Sequence, residues 1–367
     1  MFMNRFKGIM INQELRPTGF SGIRFMELLC LTVFLGGLIS CESFMGSRFD
    51  APQDTVTNEE VFDHFWQEFS DYYPYFQHKN VNWNQFYEIY RPSVDSVNSQ
   101  EDLFDLLEQM IYQLKDGHIV LESPFNRYQY YDWYQSDYNS NLINANYLNY
   151  QLQEGQTGVY SYGRIQDILY VHLASFKGQK KPYKQLSQII EASNTNTNGI
   201  ILDLRTNGGG SDVNAHLIAK EFINKFIRIR WIRYRNGPDH YSYSTWISNE
   251  LTPKQHNYKH PVVIITDRSV FSAAEDFVLA LRQLPNVFVV GQFTGGGSGN
   301  PMTRELPNGW IIKVPRWQVG DPLTKELYEG IGLEPDVILM QRTLDTTLGI
   351  DRVLEFSINY INNLNND

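Results

Sequence analysis

The sequence predicts a mixed α/β fold with a helical N-terminal region, and three observations support this. Apolar residues recur at helical spacing between residues 56 and 115. From residue 157 onward, short β-rich apolar runs alternate with helical stretches, which is typical of βαβ units around a largely parallel sheet. The composition is that of a folded chain, because 42% of the 367 residues are hydrophobic and 20% are charged.

Charge and cysteine content exclude several classes of protein. The net charge of -10 leaves no basic surface for nucleic acid. The mean hydropathy of -0.39 excludes a multi-span membrane protein. Both cysteines, Cys30 and Cys41, lie near the N-terminus, so the body of the protein has no disulfide framework, zinc site or cysteine nucleophile. We expect neither a metal nor a cofactor.

The N-terminal segment is typical of a secretory signal. An apolar run from Leu28 to Ile39 follows four basic residues, and it is too short to span a bilayer comfortably. It ends in Ser40-Cys41, which resembles the lipobox of bacterial lipoproteins, in which the cysteine is acylated. We expect a signal peptide over 1–40, a lipid on Cys41, a tether over 41–55 and a location in the bacterial cell envelope. The alternative is a plain signal anchor with an incidental cysteine.

Two helix starts stand out in the next segment. Thr57-Asn-Glu-Glu60 is a capping-box pattern, and Ser99-Gln-Glu-Asp102 is a similar one with Asp in place of Glu or Gln. Each precedes a stripe of apolar residues at helical spacing. The pattern predicts a helical domain over 56–115, with the stripes forming its core.

The rest of the chain predicts an α/β core over 116–345 and a C-terminal helix and tail over 346–367. A Tyr- and Asn-rich segment, 124–150, has no clear pattern; sheet edges, a cover over a cleft and plain surface hairpins all remain open. The predicted strands are Ile168–Leu173, Gly199–Arg205, Val262–Thr266, Val287–Gly291 and Trp310–Val314, and the predicted helices are Val213–Phe226, Ala273–Leu284 and Asp345–Asn359.

Ser272 is the first candidate for catalysis. A strand of buried type leads through a short loop to Ser272-Ala-Ala-Glu275, which begins a helix. The free N–H groups and the dipole of a helix N-terminus stabilise negative charge, which suits a nucleophile and its oxyanion. The same four residues also form a capping box, and most serines in that position only cap the helix, so Ser272 in isolation favours a structural role.

A second candidate is the glycine loop Asn207-Gly208-Gly209-Gly210, which follows another predicted strand. Three glycines let the backbone approach a ligand and direct N–H groups at it. The loop matches neither a Walker A motif nor a dinucleotide fingerprint, so a backbone oxyanion hole is the better functional interpretation. A turn that only reverses the chain is the alternative.

Two further residues could take part in acid–base chemistry. His118 ends the segment Lys115-Asp-Gly-His118, and imidazole is the natural general base near neutral pH. Glu329 begins Glu-Gly-Ile-Gly-Leu-Glu-Pro-Asp336, a glycine-broken acidic segment that could place a carboxylate in a cleft. Taken singly, a lone histidine such as His118 is usually structural or exposed, and a polar loop is the alternative for the Glu329 segment.

Taken together, these motifs resemble the tail-specific, C-terminal-processing serine peptidases, in their tricorn-core and interphotoreceptor-retinoid-binding-protein-like branch. The shared order is a helical segment ending in D-x-H, a strand ending in D-L-R-x-N-x-G-G, a serine in S-A-x-E and an E-G-x-G-x-x-P-D segment. The resemblance covers about residues 56–345. It implies a crotonase/ClpP-like ββα spiral core and a peptide or protein substrate.

The same resemblance implies a role for each residue. Ser272 would be the nucleophile, His118 its general base and Glu329 the acidic member of a tricorn-type tetrad. The N–H groups of Gly209 and Ala273 would form the oxyanion hole, with Gly208 and Glu275 as further cleft residues.

Three departures from the family pattern change these expectations. The position of the processing peptidases' catalytic lysine falls on Gly297, which disfavours a serine–lysine dyad. The tricorn core has a serine before its histidine, where this chain has Gly117, so water or backbone would replace it. Only about 40 residues separate His118 from the first core strand, which leaves no room for a PDZ module.

Two other functions remain open at this stage. The retinoid-binding relatives imply a catalytically silent protein that binds an apolar ligand or a peptide. Acyl-thioester chemistry is a weaker alternative, based only on the crotonase-like fold, and no adenine-binding feature supports it.

Overall fold

The computed structural model describes residues 56–237, 239–254 and 257–365. The predicted signal peptide, Cys41 and the tether lie outside the described residues. The helices are α1 (Asn58–Tyr72), α2 (Trp83–Tyr90), α3 (Gln100–Tyr112), α4 (Ser140–Asn146), α5 (Lys180–Ser193), α6 (Asp212–Ala219), α7 (Ala273–Leu281), α8 (Thr343–Thr347) and α9 (Arg352–Leu364). No helix within these ranges combines the length and the apolar character that crossing a bilayer requires.

Fourteen strands in the described residues form three sheets. A seven-stranded sheet has the order β14-β10-β9-β6-β5-β4-β3, a four-stranded sheet the order β11-β12-β1-β2 and a three-stranded sheet the order β13-β7-β8. The strands are β1 (Val120–Glu122), β2 (Arg127–Gln129), β3 (Gln153–Glu154), β4 (Ser161–Ile165), β5 (Ile168–His172), β6 (Gly199–Asp203), β7 (Ile227–Tyr234), β8 (Ile247–Leu251), β9 (Val262–Thr266), β10 (Val287–Gly291), β11 (Met302–Glu305), β12 (Ile311–Val314), β13 (Trp317–Gly320) and β14 (Val337–Ile338).

The central strands of the large sheet are continuous apolar runs because both of their faces are covered. Every residue of β5, β6 and β9 is buried. Alternate residues of each strand belong to different cores: Ile200 and Leu202 pack with α5, α6 and α7, whereas Ile201 packs with α9. This is the pattern of a largely parallel sheet between two layers.

The helices α1–α3 do not have a core of their own. Their buried side chains share one cluster with Leu121 of β1, Tyr128 of β2 and Ile312 of β12. Residues on both sides of the predicted boundary at 115/116 therefore pack together. Both predicted caps are confirmed: Thr57 and Glu60 form the reciprocal capping box, and the N–H of Asp102 donates to Ser99 Oγ at 3.0 Å.

Two predicted helices differ from the structure, one in its end and one in its continuity. The helix predicted over Val213–Phe226 ends at Ala219, and Phe222 and Ile223 reach the core from the turns that follow. The helix predicted over Asp345–Asn359 is divided into α8 and α9. Gly349 lies between them with φ of +75°, and Asp351 caps α9 by accepting from the N–H of Leu354 at 3.0 Å.

The parallel pairing of β6 and β9 brings two loops to the same edge of the sheet. The loop after β6 carries the glycine triplet, and the loop after β9 leads to Ser272. The carboxyl ends of adjacent parallel strands are the usual place for a site in α/β proteins. The residues Asp203-Leu-Arg205, which precede the glycine loop, are structural. Buried Arg205 pairs with Asp203 at 2.6 Å and with Asp351, the N-cap of α9, at 2.8 Å.

Candidate active site

Ser272 stands at the corner between β9 and α7 in an unusual backbone conformation. Its φ of +58° and ψ of -126° are values that residues with a side chain rarely adopt, at a cost of about 1–3 kcal/mol. A strained strand-to-helix corner exposes the hydroxyl of the residue at its tip, as in the nucleophile elbow of hydrolases. The Ser272 Oγ accordingly lines a cleft.

Glu275 holds this corner in place. Its buried carboxylate accepts hydrogen bonds from the N–H groups of Ser272 at 3.0 Å, Gly296 at 2.9 Å and Gly297 at 2.7 Å, and from the hydroxyl of Thr294 at 2.5 Å. Burial raises the pKa of Glu275 to about 7, although these hydrogen bonds act to lower it. Glu275 is therefore not a cleft group; it connects the serine corner to the 294–297 loop.

The imidazole of His118 lies beside the Ser272 hydroxyl. Its Nε2 is 3.0 Å from Ser272 Oγ. The backbone N–H of His118 donates to Asp116 Oδ1 at 2.8 Å, and the ring packs on Phe271 with centroids 4.6 Å apart. Burial lowers the pKa of His118, although the Asp116 charge opposes this. The ring is therefore neutral near pH 7 and able to accept a proton.

The other ring nitrogen of His118 has no carboxylate partner in the described residues. Nδ1 faces the N–H of Gly299 at 3.5 Å, which is a long contact. Glu329 lies one step further away: its Oε2 accepts from the N–H of Ser298 at 2.8 Å and from Ser298 Oγ at 2.9 Å. Its connection to the imidazole therefore runs through the Ser298–Gly299 backbone.

Ser298 is a site residue that the sequence reasoning missed. Its hydroxyl lies between the Glu329 carboxylate and the Tyr75 hydroxyl, 2.6 Å from the latter. The tricorn pattern expected a serine at position 117, and the serine that contacts the acid stands instead at 298. Burial, and next the Asp116 charge, raise the pKa of Glu329 to about 8, although Lys79 lies 3.5 Å away.

The glycine loop approaches the nucleophile more closely than any side chain would allow. A Cβ on Gly209 would lie 2.5 Å from Phe271 O and 2.8 Å from Ser272 Cβ, and its φ is +88°. The predicted role of Gly209 as an oxyanion donor conflicts with its hydrogen bonding, since its N–H donates to Asn207 Oδ1 at 2.9 Å. An Asn side chain that closes on the backbone two residues ahead is a common turn.

Other backbone donors are available near Ser272. In the described part of the chain, the N–H groups of Ala273 and Gly210 have no hydrogen-bond acceptor, whereas the Gly208 N–H makes a 3.1 Å turn contact with Thr206 O. Gly208 and Gly210 line the cleft. The predicted donor Ala273 thus has a free N–H at the start of α7, where the helix dipole is favourable to an anion.

The cleft in front of Ser272 has a volume of about 430 Å³ and lies between the glycine loop, the four-stranded sheet and the 297–301 segment. Gln129 and Tyr131, from the segment that the sequence left unassigned, line one wall. Phe271, whose ring stacks on Trp133 with centroids 4.2 Å apart, lines both this cleft and a second cavity of about 570 Å³ that reaches Glu329. Within the described ranges, no cluster of three or more His, Cys, Asp or Glu side chains is suitable for a metal ion.

Comparisons with known proteins agree with this fold and site. The model of peptidase family S41 matches residues 167–339, and the model of the tricorn protease C1 domain matches residues 55–112. A crystal structure from Parabacteroides merdae, assigned as a peptidase, is 31% identical, with a TM-score of 0.75 over 84% of this chain and 97% of that one. Mature CPAF shares the fold alone, with a TM-score of 0.65 at 12% identity, over 83% of this chain and 98% of that one.

The family models and the structural match place this chain among the serine-type peptidase families. This chain belongs to peptidase family S41, which confirms the resemblance found in the sequence. Among curated relatives, the carboxy-terminal processing protease CtpA of Bacillus subtilis is 28% identical over 184 residues. That alignment spans 49% of this chain and only 36% of the protease, so the chain corresponds to about a third of that relative's length.

Proposed function

We propose that this protein hydrolyses peptide bonds, with Ser272 as the nucleophile and His118 as its general base. The observation that carries the proposal is the 3.0 Å contact between His118 Nε2 and Ser272 Oγ, at the edge of a cleft large enough for several residues of a peptide. A neutral imidazole within hydrogen-bond distance of a hydroxyl is the arrangement that activates a serine.

In the proposed mechanism, His118 Nε2 takes the Ser272 proton as Oγ attacks the peptide carbonyl. The resulting imidazolium then protonates the leaving amine, and water attacks the acyl-enzyme with the same histidine as the base. Nε2 accepts a proton only when Nδ1 carries the ring proton. A protonated Nδ1 cannot also accept from the Gly299 N–H, so the active tautomer requires that this long 3.5 Å contact is not a hydrogen bond. We propose that Glu329, through Ser298, sets the position of the Gly299 backbone that faces Nδ1.

The oxyanion of the tetrahedral intermediate needs backbone donors that are not already engaged. We propose Ala273 N–H as the first donor, because it is free and stands at the N-terminus of α7. Gly210, whose N–H is also without an acceptor in the described residues, supplies the second. Gly209 contributes by its lack of a side chain, which lets the loop lie against Ser272.

Peptide hydrolysis by the purified protein tests the proposal. Ser272→Ala is expected to abolish cleavage of an unstructured protein substrate, whereas Ser96→Ala, which alters an exposed serine that does not line the cleft, retains it. Equal cleavage by Ser272→Ala and by the unchanged protein would refute the assignment. A wild-type protein that cleaves nothing yet binds an apolar ligand would favour the silent binding protein instead.

For its location, we propose a lipid-anchored protein of the bacterial cell envelope, acylated on Cys41. The support is the sequence alone: a basic segment, a short apolar run and a cysteine at its end. Cys41→Ala is expected to abolish incorporation of labelled palmitate and to release the protein from membranes. Unchanged labelling in that variant would contradict the proposal.

A further inference from the structure

Positive charge exceeds negative charge around the cleft in front of Ser272. Four cationic and two acidic side chains line it, namely Arg127, Lys177, Arg230, Lys313, Asp212 and Asp276. Two of the four cations have carboxylate partners: Arg230 donates to Asp212 Oδ2 at 2.7 Å and also to Asp276 Oδ2, and Arg127 Nε lies 3.8 Å from Glu122 Oε2. The two lysines are the cations of this lining without such a partner in the described residues. This local excess runs against the net charge of -10 of the whole chain.

Lys313 lies on the sheet wall of the cleft. It is directly opposite Val120 in the β1–β12 pair, and Val120 is opposite Gln129 in the β1–β2 pair. Directly opposed residues of antiparallel strands project from the same face, and all three line the cleft. Val120 begins β1 two residues after His118, so Lys313 lies on the sheet into which the segment of the proposed base leads. Within the described residues, Lys313 has no carboxylate at ion-pair distance.

Lys177 lies on the glycine-loop wall. The preceding residue, Phe176, is fixed to that loop, because its N–H donates to Gly209 O at 2.9 Å and its carbonyl accepts from the Ser211 N–H at 3.0 Å. The Lys177 carbonyl accepts from the Tyr183 hydroxyl at 2.6 Å. The backbone is thus held while the side chain is exposed, and no carboxylate in the described ranges pairs with it.

Building on the proposed function, we propose that the cleft selects peptide segments that carry a carboxylate, which the ammonium groups of Lys177 and Lys313 bind beside the cleaved bond. Ammonium–carboxylate contacts are among the stronger hydrogen bonds, and a cleft lined by one sign of charge also concentrates ligands of the opposite sign. The carboxylate is either an Asp or Glu side chain or the C-terminus of the substrate.

Binding to the Ser272→Ala variant tests this without any need for hydrolysis. Four fluorescent peptides of one sequence carry Glu or Gln at the centre and a free or an amidated C-terminus, and their Kd values are measured by anisotropy. A peptide with the favoured carboxylate is expected to bind about tenfold more tightly than its neutral partner. Whichever pair differs identifies the source of the carboxylate, and about 0.5 M salt reduces the difference.

Charge reversal then assigns the preference to the two lysines. On the same background, Lys177→Glu/Lys313→Glu is expected to remove the preference, whereas Lys225→Glu/Lys184→Glu, with the same change in net charge outside the cleft, keeps it. Equal Kd values for all four peptides, or a preference that survives Lys177→Glu/Lys313→Glu, would overturn the proposal. Failure of the proposed function is a separate result, namely that the unchanged protein hydrolyses none of these peptides.

Discussion

The carboxylate of Glu275 accepts a hydrogen bond from the backbone N–H of Ser272 at 3.0 Å. It therefore holds the serine at a positive φ, and it does so from three residues further along α7. The same carboxylate accepts the N–H groups of Gly296 and Gly297, so one buried group fixes both the proposed nucleophile and the loop opposite it.

We predict that Glu275→Gln lowers both stability and turnover. An amide has one acceptor oxygen, and its NH2 group would face N–H donors, so at least one buried donor loses its partner at a cost of about 1–3 kcal/mol. Urea denaturation and peptide hydrolysis measure the two effects. Glu191→Gln, on an exposed part of α5, is the matched control. A Glu275→Gln protein identical to this control in both assays would contradict the positioning role.

Substitution by alanine is expected to affect turnover very differently at the neighbouring residues Gly208 and Gly209. Gly209→Ala places a Cβ against Phe271 O and Ser272 Cβ at a φ of +88°, so turnover should fall by at least about a hundredfold. Gly208→Ala should retain most activity, since its Cβ would meet no atom within 4 Å. Hydrolysis rates and denaturation midpoints of both variants check this. Similar rates for the pair would show that close approach of the loop is not required.

Ser298→Ala is expected to slow turnover by about tenfold without unfolding the protein. The change removes one of the two donors to Glu329 Oε2 and leaves the backbone donor in place. If the role is positioning, kcat falls while KM changes little, because the peptide does not need this hydroxyl for binding. Ser298→Thr keeps the hydroxyl and should restore part of the rate. A rise in KM alone would indicate substrate contact instead.

Stability should fall as the pH rises from about 5 to 8. Burial raises the pKa of Glu329 to about 8, so the folded protein retains a proton that the unfolded chain releases above its ordinary value of 4.5. Unfolding then releases a proton between these values, which favours the unfolded state increasingly as the pH rises. In Glu329→Gln the free energy of unfolding should depend less on pH over this window, by about 1 kcal/mol or more. The same slope in both proteins would contradict the raised pKa.

Short sequence patterns predicted the individual strands and helices whose conformation depends mainly on neighbouring residues. The strand Val262–Thr266 agrees with the structure residue for residue, because a short run of β-branched residues favours a strand buried on both faces. The first part of the helix predicted over Asp345–Asn359 was wrong. The chain turns at Gly349, which has a positive φ, and a new helix begins after the N-cap Asp351.

Residues of the candidate site were predictable only where a local sequence motif contains them. Ser298 could not be found, since its partners Tyr75 and Glu329 are 223 and 31 residues away in sequence and meet it only in the folded chain. The hydrogen bond from the Gly209 N–H to the Asn207 side chain did have a local signal. An Asn side chain commonly accepts a hydrogen bond from the backbone N–H two residues further along.

The rate at which a fluorophosphonate labels Ser272, followed against pH, tests the central claim that His118 activates this hydroxyl. We predict that the rate rises with pH through a single pKa below 6.5, the side on which burial places the imidazole, because only the neutral ring accepts the proton. In His118→Ala the rate should fall by about two to four orders of magnitude and lose this dependence. Equally fast labelling of Ser272 in both proteins would contradict the account.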